Sequence, residues 1–425
     1  MSGRLAASLC LSRMVDADRP AEHARRLTDE CMIWPFSAAS KSTVLRPSAT
    51  GRSIMDNRSR QLSRRDALSL LGGGAGVGFV AAFRQEAVLT AFAQTVSSKA
   101  TFPKGAIIRT VLKDLSPTAL GTGATLFHDH ISLSSPRPYA PPPKQPVEPQ
   151  WLENVDAVVE ELKAAAKDGI SCIVTGGTRD LGQKPANVRR IAELVASSGM
   201  HIVLSDALWT QPAYPPEIPN KSEDQIADEF VRDAQAQRWG ALGELGSSME
   251  MHADERKVFR AVAKVHLRTG LPIFTHMPHE GCKKCGMLQL ELFESVGVNP
   301  RLVCIGHLSD IRDDPKAETQ IAIAKRGAFV GFDTVGHTTG ALARGDEMAR
   351  MALSIIEAGY EDHLLLSADG TSQQERKANG GPGYAKVLTI FVPKLRAAGV
   401  KEATIHKILV DNPRRFLAFV PKKTT

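Results

Sequence analysis

Residues 123–132 read GATLFHDHIS. A glycine opens a short apolar run, the pattern of a buried strand. The run ends in His128, Asp129 and His130. Successive side chains of a strand point to opposite faces, so residues i and i+2 share one. His128 and His130 are therefore placed to chelate a single ion. Asp129 turns the other way, to pack or hydrogen-bond.

Segments of this kind recur along the chain. Strands are predicted at 124–132, 171–176, 201–208, 240–246, 272–277, 302–307, 328–334 and 363–368. Helical segments lie between most of them. VDAVVEELKAAAKDG repeats apolar residues at three and four and stops at Gly169. NVRRIAELVASSG, ERKVFRAVAKVHLRTG and AETQIAIAKRG stop at Gly199, Gly270 and Gly327. Glycine just past a helix suits the left-handed C-cap. DEMARMALSIIEAGY and GYAKVLTIFVPKLRAAG complete the set. Eight apolar strands alternating with helices imply an α/β fold with a parallel sheet covered by helices. That count fits a closed (β/α)8 TIM barrel. The runner-up is an open doubly wound sheet. It wants a glycine-rich phosphate turn after its first strand, and neither GxGxxG nor a Walker pattern stands there.

The one glycine-rich stretch, LLGGGAGVG at 70–78, belongs to the leader. Residues 1–94 read as a leader and twin-arginine-type signal peptide, with Met55 as the expected true start. Ser63, Arg64 and Arg65 precede an apolar run at 67–83, and Ala91-Phe92-Ala93 has the form of a cleavage site. Ala67 replaces the usual aromatic two positions after the arginine pair. Export to the periplasm or medium is expected, with a membrane anchor or cytoplasmic retention as alternatives. After cleavage no stable membrane insertion is expected. Residues 95–425 form the barrel domain. The net charge of +7 is weighted toward the leader, so no nucleic-acid partner is expected. Six cysteines are too few and too scattered for a disulfide framework. Cys282 and Cys285 make an isolated CxxC after strand 5, expected to form a tight disulfide that stiffens the loop.

In a barrel the reactive face lies at the C-terminal ends of the strands. The unusual polar residues collect there: His128 and His130 on strand 1, Glu244 on strand 4, His276 on strand 5, His307 on strand 6 and Asp369 on strand 8. A lone histidine at a strand end is more often structural, but an ordered set of six is not a chance pattern. Four histidines and two carboxylates are too many for one catalytic zinc with an open position. They suit two divalent ions about 3.5–4 Å apart, sharing a carboxylate and a hydroxide. Nitrogen and oxygen donors favour Zn²⁺, with Mn²⁺, Fe²⁺ or Co²⁺ as alternatives. His201, at the start of a strand, reads as structural. His252, His266, His363 and His406 read as surface or packing residues. His279 and His337 lie in loops within reach of a substrate.

With these residues in view, the chain resembles the phosphotriesterase family of the amidohydrolase superfamily over roughly residues 120–420. GATLFHDHISL, GTRDLGQKPANVRRIAELVASSGMHIVLSDALW, LPIFTHM, NPRLVCIGHLSDIRDD, LLLSADG and LVDNPRRFLAF carry the likeness. The resemblance implies that His128, His130 and Asp369 hold one ion, that His276 and His307 hold the other, and that Glu244 bridges them. Many members bridge with a carbamylated lysine at the position of Glu244. The implied mechanism is attack by a metal-bridging hydroxide on a lactone, carboxyl ester or organophosphate ester, with Asp369 accepting a proton. An amide or other C–N bond is the alternative. A non-catalytic ligand-binding barrel is a third reading, against which the intact set speaks. Specificity is expected from the loops GHTTGALARGDE and TSQQERKANGGPGY. There Arg344, Arg376, Lys377 and Tyr384 are candidates for a polar or anionic group, weighed against ordinary solvated loop charges. The expected partner is a small-molecule substrate, and the family implies a homodimer.

Overall fold

Phe127, Val174, Val203, Ala241, Phe274, Cys304, Phe329 and Leu365 belong to eight successive strands and pack into one apolar cluster. Their neighbours Leu126, Ile173, Ile202, Leu242, Ile273, Val303, Val330 and Leu364 belong to a second, larger cluster with the helices. This split is the period-two alternation of strands with an inner and an outer face. In a computed structural model of the chain, the described residues are 100–422 apart from 142–143, 145–148 and 280. The leader, Met55, the arginine pair and the Ala91-Phe92-Ala93 site all lie outside them.

The strands are β1 (Ala124–Asp129), β2 (Ile170–Thr175), β3 (His201–Val203, resuming as Ser205–Asp206), β4 (Ala241–Gly246), β5 (Ile273–His276), β6 (Val303–Ile305), β7 (Phe329–Phe332) and β8 (Leu364–Leu366). Each pairs in parallel with the next, and β3 joins the two ladders because its first half pairs β2 and its second half β4. Side chains close the seam between β8 and β1. The His128 N–H donates to Ser367 Oγ at 3.2 Å, and the Ser367 hydroxyl donates to the His128 carbonyl. The predicted barrel is present, and all eight strands lie where the apolar runs placed them.

The covering helices are α1 (Val155–Lys167), α2 (Pro185–Val195), α3 (Glu223–Gln237), α4 (Ala253–Thr269), α5 (Lys283–Ser295), α6 (Glu318–Lys325), α7 (Gly345–Glu357) and α8 (Val392–Ala397). Gly169, Gly199, Gly270 and Gly327 all have φ between 79° and 101°, the left-handed geometry expected of them. Two of these eight helices are absent from the predicted set. α3 buries Ile226, Ala227, Phe230, Val231 and Ala234 at helical spacing and starts with a capping box between Ser222 and Gln225. α5 opens within the CxxC, with Cys282 at its N-cap and Cys285 in its first turn, and the two cysteines are disulfide-bonded as expected. No helix among the described residues is long and apolar enough to cross a membrane. A short hairpin, Ile108–Arg109 with Asp114–Leu115, and a bridge from Ile107 to Phe419 sit beside the N-terminal end of the barrel cluster.

Candidate metal centre

Strict alternation along β1 would put Phe127 and His128 on opposite faces. Both face the barrel interior: Phe127 packs on Phe274 and Phe416, and the His128 ring lies 5.3 Å from Phe274. A β-bulge resolves this. Leu126 to Asp129 on β1 spans three steps opposite the two from Ile173 to Thr175 on β2. The extra residue reverses the phase and turns His128 inward, with His130 following just past the strand. β4 repeats the device. Leu242 to Leu245 spans three steps opposite the two from Ile273 to Thr275, so Glu244 turns in after Ala241. His307 and Asp369 leave their strands with positive φ, 54° and 46°, a conformation that L side chains rarely adopt. Such backbone is tolerated where the surroundings hold it, and that is often at a functional site.

These turns bring all six predicted residues together. The Glu244 carboxylate is the hub: Oε2 lies 3.1 Å from His276 Nδ1, 3.3 Å from His128 Nε2 and 3.8 Å from His307 Nε2. Its other oxygen is 3.5 Å from His130 Nε2. Asp369 Oδ1 lies 2.8 Å from His130 Nε2 and 3.8 Å from His128 Nε2. Nothing larger than glycine fits beneath the histidine pair. A Cβ on Gly176 would stand 2.4 Å from His128 Cδ2 and 3.1 Å from His130 Cε1.

The donor set fits divalent cations. His128 Nε2, His276 Nδ1 and His307 Nε2 are buried and accept or donate no hydrogen bond. Orphaned ring nitrogens aimed at a shared carboxylate are costly unless something sits between them. Three triads of donor atoms are close enough to hold an ion: His128, His130 and Asp369; His276, His279 and His307; and His128, His307 and Asp333. Electrostatics point the same way. Burial raises the Glu244 pKa, but His128, His276 and His307 outweigh it and hold the carboxyl well below its ordinary range. Burial also opposes ionisation of Asp369, and His130 outweighs it. Burial lowers the His128 pKa, yet Glu244 and Asp333 together raise it to about 10. Burial, with His307 adjacent, lowers the His276 pKa to about 3 and keeps that ring neutral. The carboxylates demand positive charge, from protons on the rings or from cations among them.

A supporting layer went unread in the sequence. Asp333, at the end of β7, accepts from His128 Nδ1 at 2.9 Å and from the His307 N–H at 2.8 Å. Asp310 contacts His307 Nδ1 at 3.5 Å and His279 Nδ1 at 2.8 Å. Burial opposes the Asp310 charge, and the two histidines outweigh it, so its pKa is held below the ordinary range. Asp129 behaves as predicted, accepting from the Gly370 and His130 N–H groups on the far side of β1. The only signal for Asp333 and Asp310 was a carboxylate inside or just past an apolar run.

The loop candidates are already engaged. Arg344 pairs with Glu347, Lys377 with Asp168, and Arg376 lies 4.8 Å over the Trp151 ring. Tyr384 donates to the His130 carbonyl at 2.7 Å, so it positions a candidate ligand. His337 reaches the Ala368 carbonyl at 2.7 Å through Nε2 and Glu375 at 2.9 Å through Nδ1. Glu375 also holds the buried Lys386 at 2.6 Å. His266 reaches the Leu271 carbonyl at 2.7 Å, His363 reaches the Ala328 carbonyl at 3.0 Å, and His252 caps α4, in line with the surface or packing roles expected of them.

Residues 107–417 match the phosphotriesterase family. The chain is 29% identical to an aryldialkylphosphatase of Saccharolobus solfataricus over 319 residues, covering 70% of this chain and 95% of that one. It is 24% identical to an N-acetyltaurine hydrolase of Pongo abelii over 350 residues, covering 73% and 98%. Among solved structures it resembles a resiniferatoxin-binding protein from Rhodobacter sphaeroides, at 29% identity and a TM-score of 0.65, over 75% of this chain and 97% of that one.

Proposed function

This chain belongs to the phosphotriesterase family and is a metal-dependent hydrolase, and from that premise we propose how its own residues do the work. His128, His130 and Asp369 would hold one divalent ion, His276 and His307 the second, with Glu244 shared. The convergence of four ring nitrogens on Glu244 carries this reading. Bound ions would supply Lewis acidity and a water ionised near neutral pH. Tyr384 and Asp129 hold His130 in place from behind. Asp369 is the proton acceptor. Its side chain is 12% exposed against 5% or less for the other five, so a proton taken there has a way out.

The substrate is a lactone, carboxyl ester or organophosphate ester. An amide is the second reading, favoured by the likeness to N-acetyltaurine hydrolases along 98% of their length. The test is metal quantification joined to a panel of lactones, aryl esters, phosphotriesters and amides. Two ions per chain with turnover of one class is expected. Fewer than one ion and no turnover would favour a ligand-binding barrel. For residues 1–94 the proposal is a cleaved export signal, and N-terminal sequencing of secreted protein beginning near residue 94 is the expected result.

A further inference from the structure

Trp209 stands beside the candidate centre as a fixed platform. Its ring lies edge-on to His276 at 5.3 Å between centroids. Its backbone is held on both sides. The N–H donates to the buried Asp180 at 2.8 Å, and the carbonyl lies so close to Gly246 of β4 that a Cβ there would meet it at 2.1 Å. Over the other part of this platform lies Arg137, its guanidinium carbon 4.0 Å from the ring centroid. Arg137 sits between Pro136 and Pro138, so the backbone carrying it has few alternatives. It is exposed, and among the described residues no carboxylate pairs with it. The charges it feels most are those of Glu244, the hub of the centre, and Asp180 beneath Trp209. Arg344, Arg376 and Lys377 each pair with a carboxylate; Arg137 has only the indole face.

We propose that Arg137, stacked on Trp209, is the specificity-determining residue of this site and recognises a carboxylate or sulfonate on the substrate, a short spacer away from the bond that is cleaved. A guanidinium offers two parallel N–H donors to such a group, and stacking on an indole fixes their plane. Cleavage takes place at the centre while the anionic tail rests on Arg137. This rests on the hydrolase reading only for the chemistry at the centre; recognition of the anion is read separately, by binding.

The probes are N-acetylglycine, N-acetyl-β-alanine and N-acetyl-γ-aminobutyrate, each against its own carboxamide. Binding to the metal-loaded, full-length protein is measured by calorimetry and turnover by product analysis. At least one acid should bind about tenfold or more tightly than its carboxamide. In R137A that ratio should fall to about one, and R137K should recover only part of it, since lysine lacks the planar fork. Arg137 is exposed, so both variants should keep the circular dichroism and metal content of the parent. No preference for the acid in any of the three pairs, or an undiminished preference in R137A, overturns the proposal. Anion preference without turnover would count against hydrolysis of these probes and leave Arg137 as the anion site.

Discussion

Asp333 orients His128: its Oδ2 lies 2.9 Å from the ring Nδ1, and this turns Nε2 toward Glu244, 3.3 Å away. The same carboxylate accepts from the His307 backbone at 2.8 Å. One side chain thus steadies a histidine from each of the two proposed ion sites. Removing such an outer partner commonly costs about 10–100-fold in metal affinity. D333N should show that loss at both ions when occupancy is measured against a graded chelator. Unchanged occupancy would reduce Asp333 to a packing residue.

Asp369 sets Oδ1 2.8 Å from His130 Nε2 and has the greatest solvent access of the six. D369N should lower kcat by about 100-fold or more, the scale of a lost general base, while metal content stays near that of the parent. Full activity in D369N would refute its role as proton acceptor.

Gly176 has no room for a side chain. In G176A the new Cβ would sit 2.6 Å from His128 Nε2, so the ring must move. Overpacking of this kind costs about 1–3 kcal/mol. The larger expected effect is loss of bound metal after dialysis, because the ring it displaces is a candidate ligand. Retention of both ions would mean that the backbone of β2 yields more readily than the histidines.

Glu375 neutralises Lys386, whose side chain is 2% exposed, and also contacts His337. Burial raises its pKa, but His337 and Lys386 outweigh this and bring it down to about 2. A depressed carboxyl stabilises the fold above its unfolded value and loses that contribution as pH falls through the folded one. Glu375 should therefore stabilise fully above about pH 4.5 and progressively less toward pH 2. E375Q should lower stability at neutral pH by about 3 kcal/mol, the cost of leaving a buried charge alone. The gap between variant and parent in thermal melts should narrow as the pH falls from 4.5 toward 2. A gap that stays constant would place the stabilisation elsewhere.

The barrel was legible because its strands are apolar and its helices stop at glycines; Gly169, Gly199, Gly270 and Gly327 needed no tertiary information. The histidine set was legible because barrel geometry says which end of a strand to search. The bulges were not legible. Strict period-two reading brings His128 and His130 together, but it cannot bring Phe127 inward with them, nor Glu244 with Ala241. An inserted residue shows only once the partner strand is aligned. Asp333 and Asp310 were unreadable for a related reason. Their role depends on rings from β1, β5 and β6 arriving beside them. α3 is a different matter: its capping box and apolar spacing are local features that the sequence itself displays. Arg137 carries no sequence signal at all, since an arginine between two prolines reads as a solvated loop.

The hydroxyl of Ser367 on the barrel seam has a temporal consequence. His128 and Ser367 stand 239 positions apart in the chain, and Asp369 follows only two residues later. A polypeptide still emerging from the ribosome has the histidine pair long before it has the serine that fastens it or the aspartate that faces it. A complete cation cradle is therefore a certificate that synthesis has reached the last strand. For a protein whose leader reads as a signal for moving finished, folded cargo, cation uptake would mark the moment at which it is ready to leave.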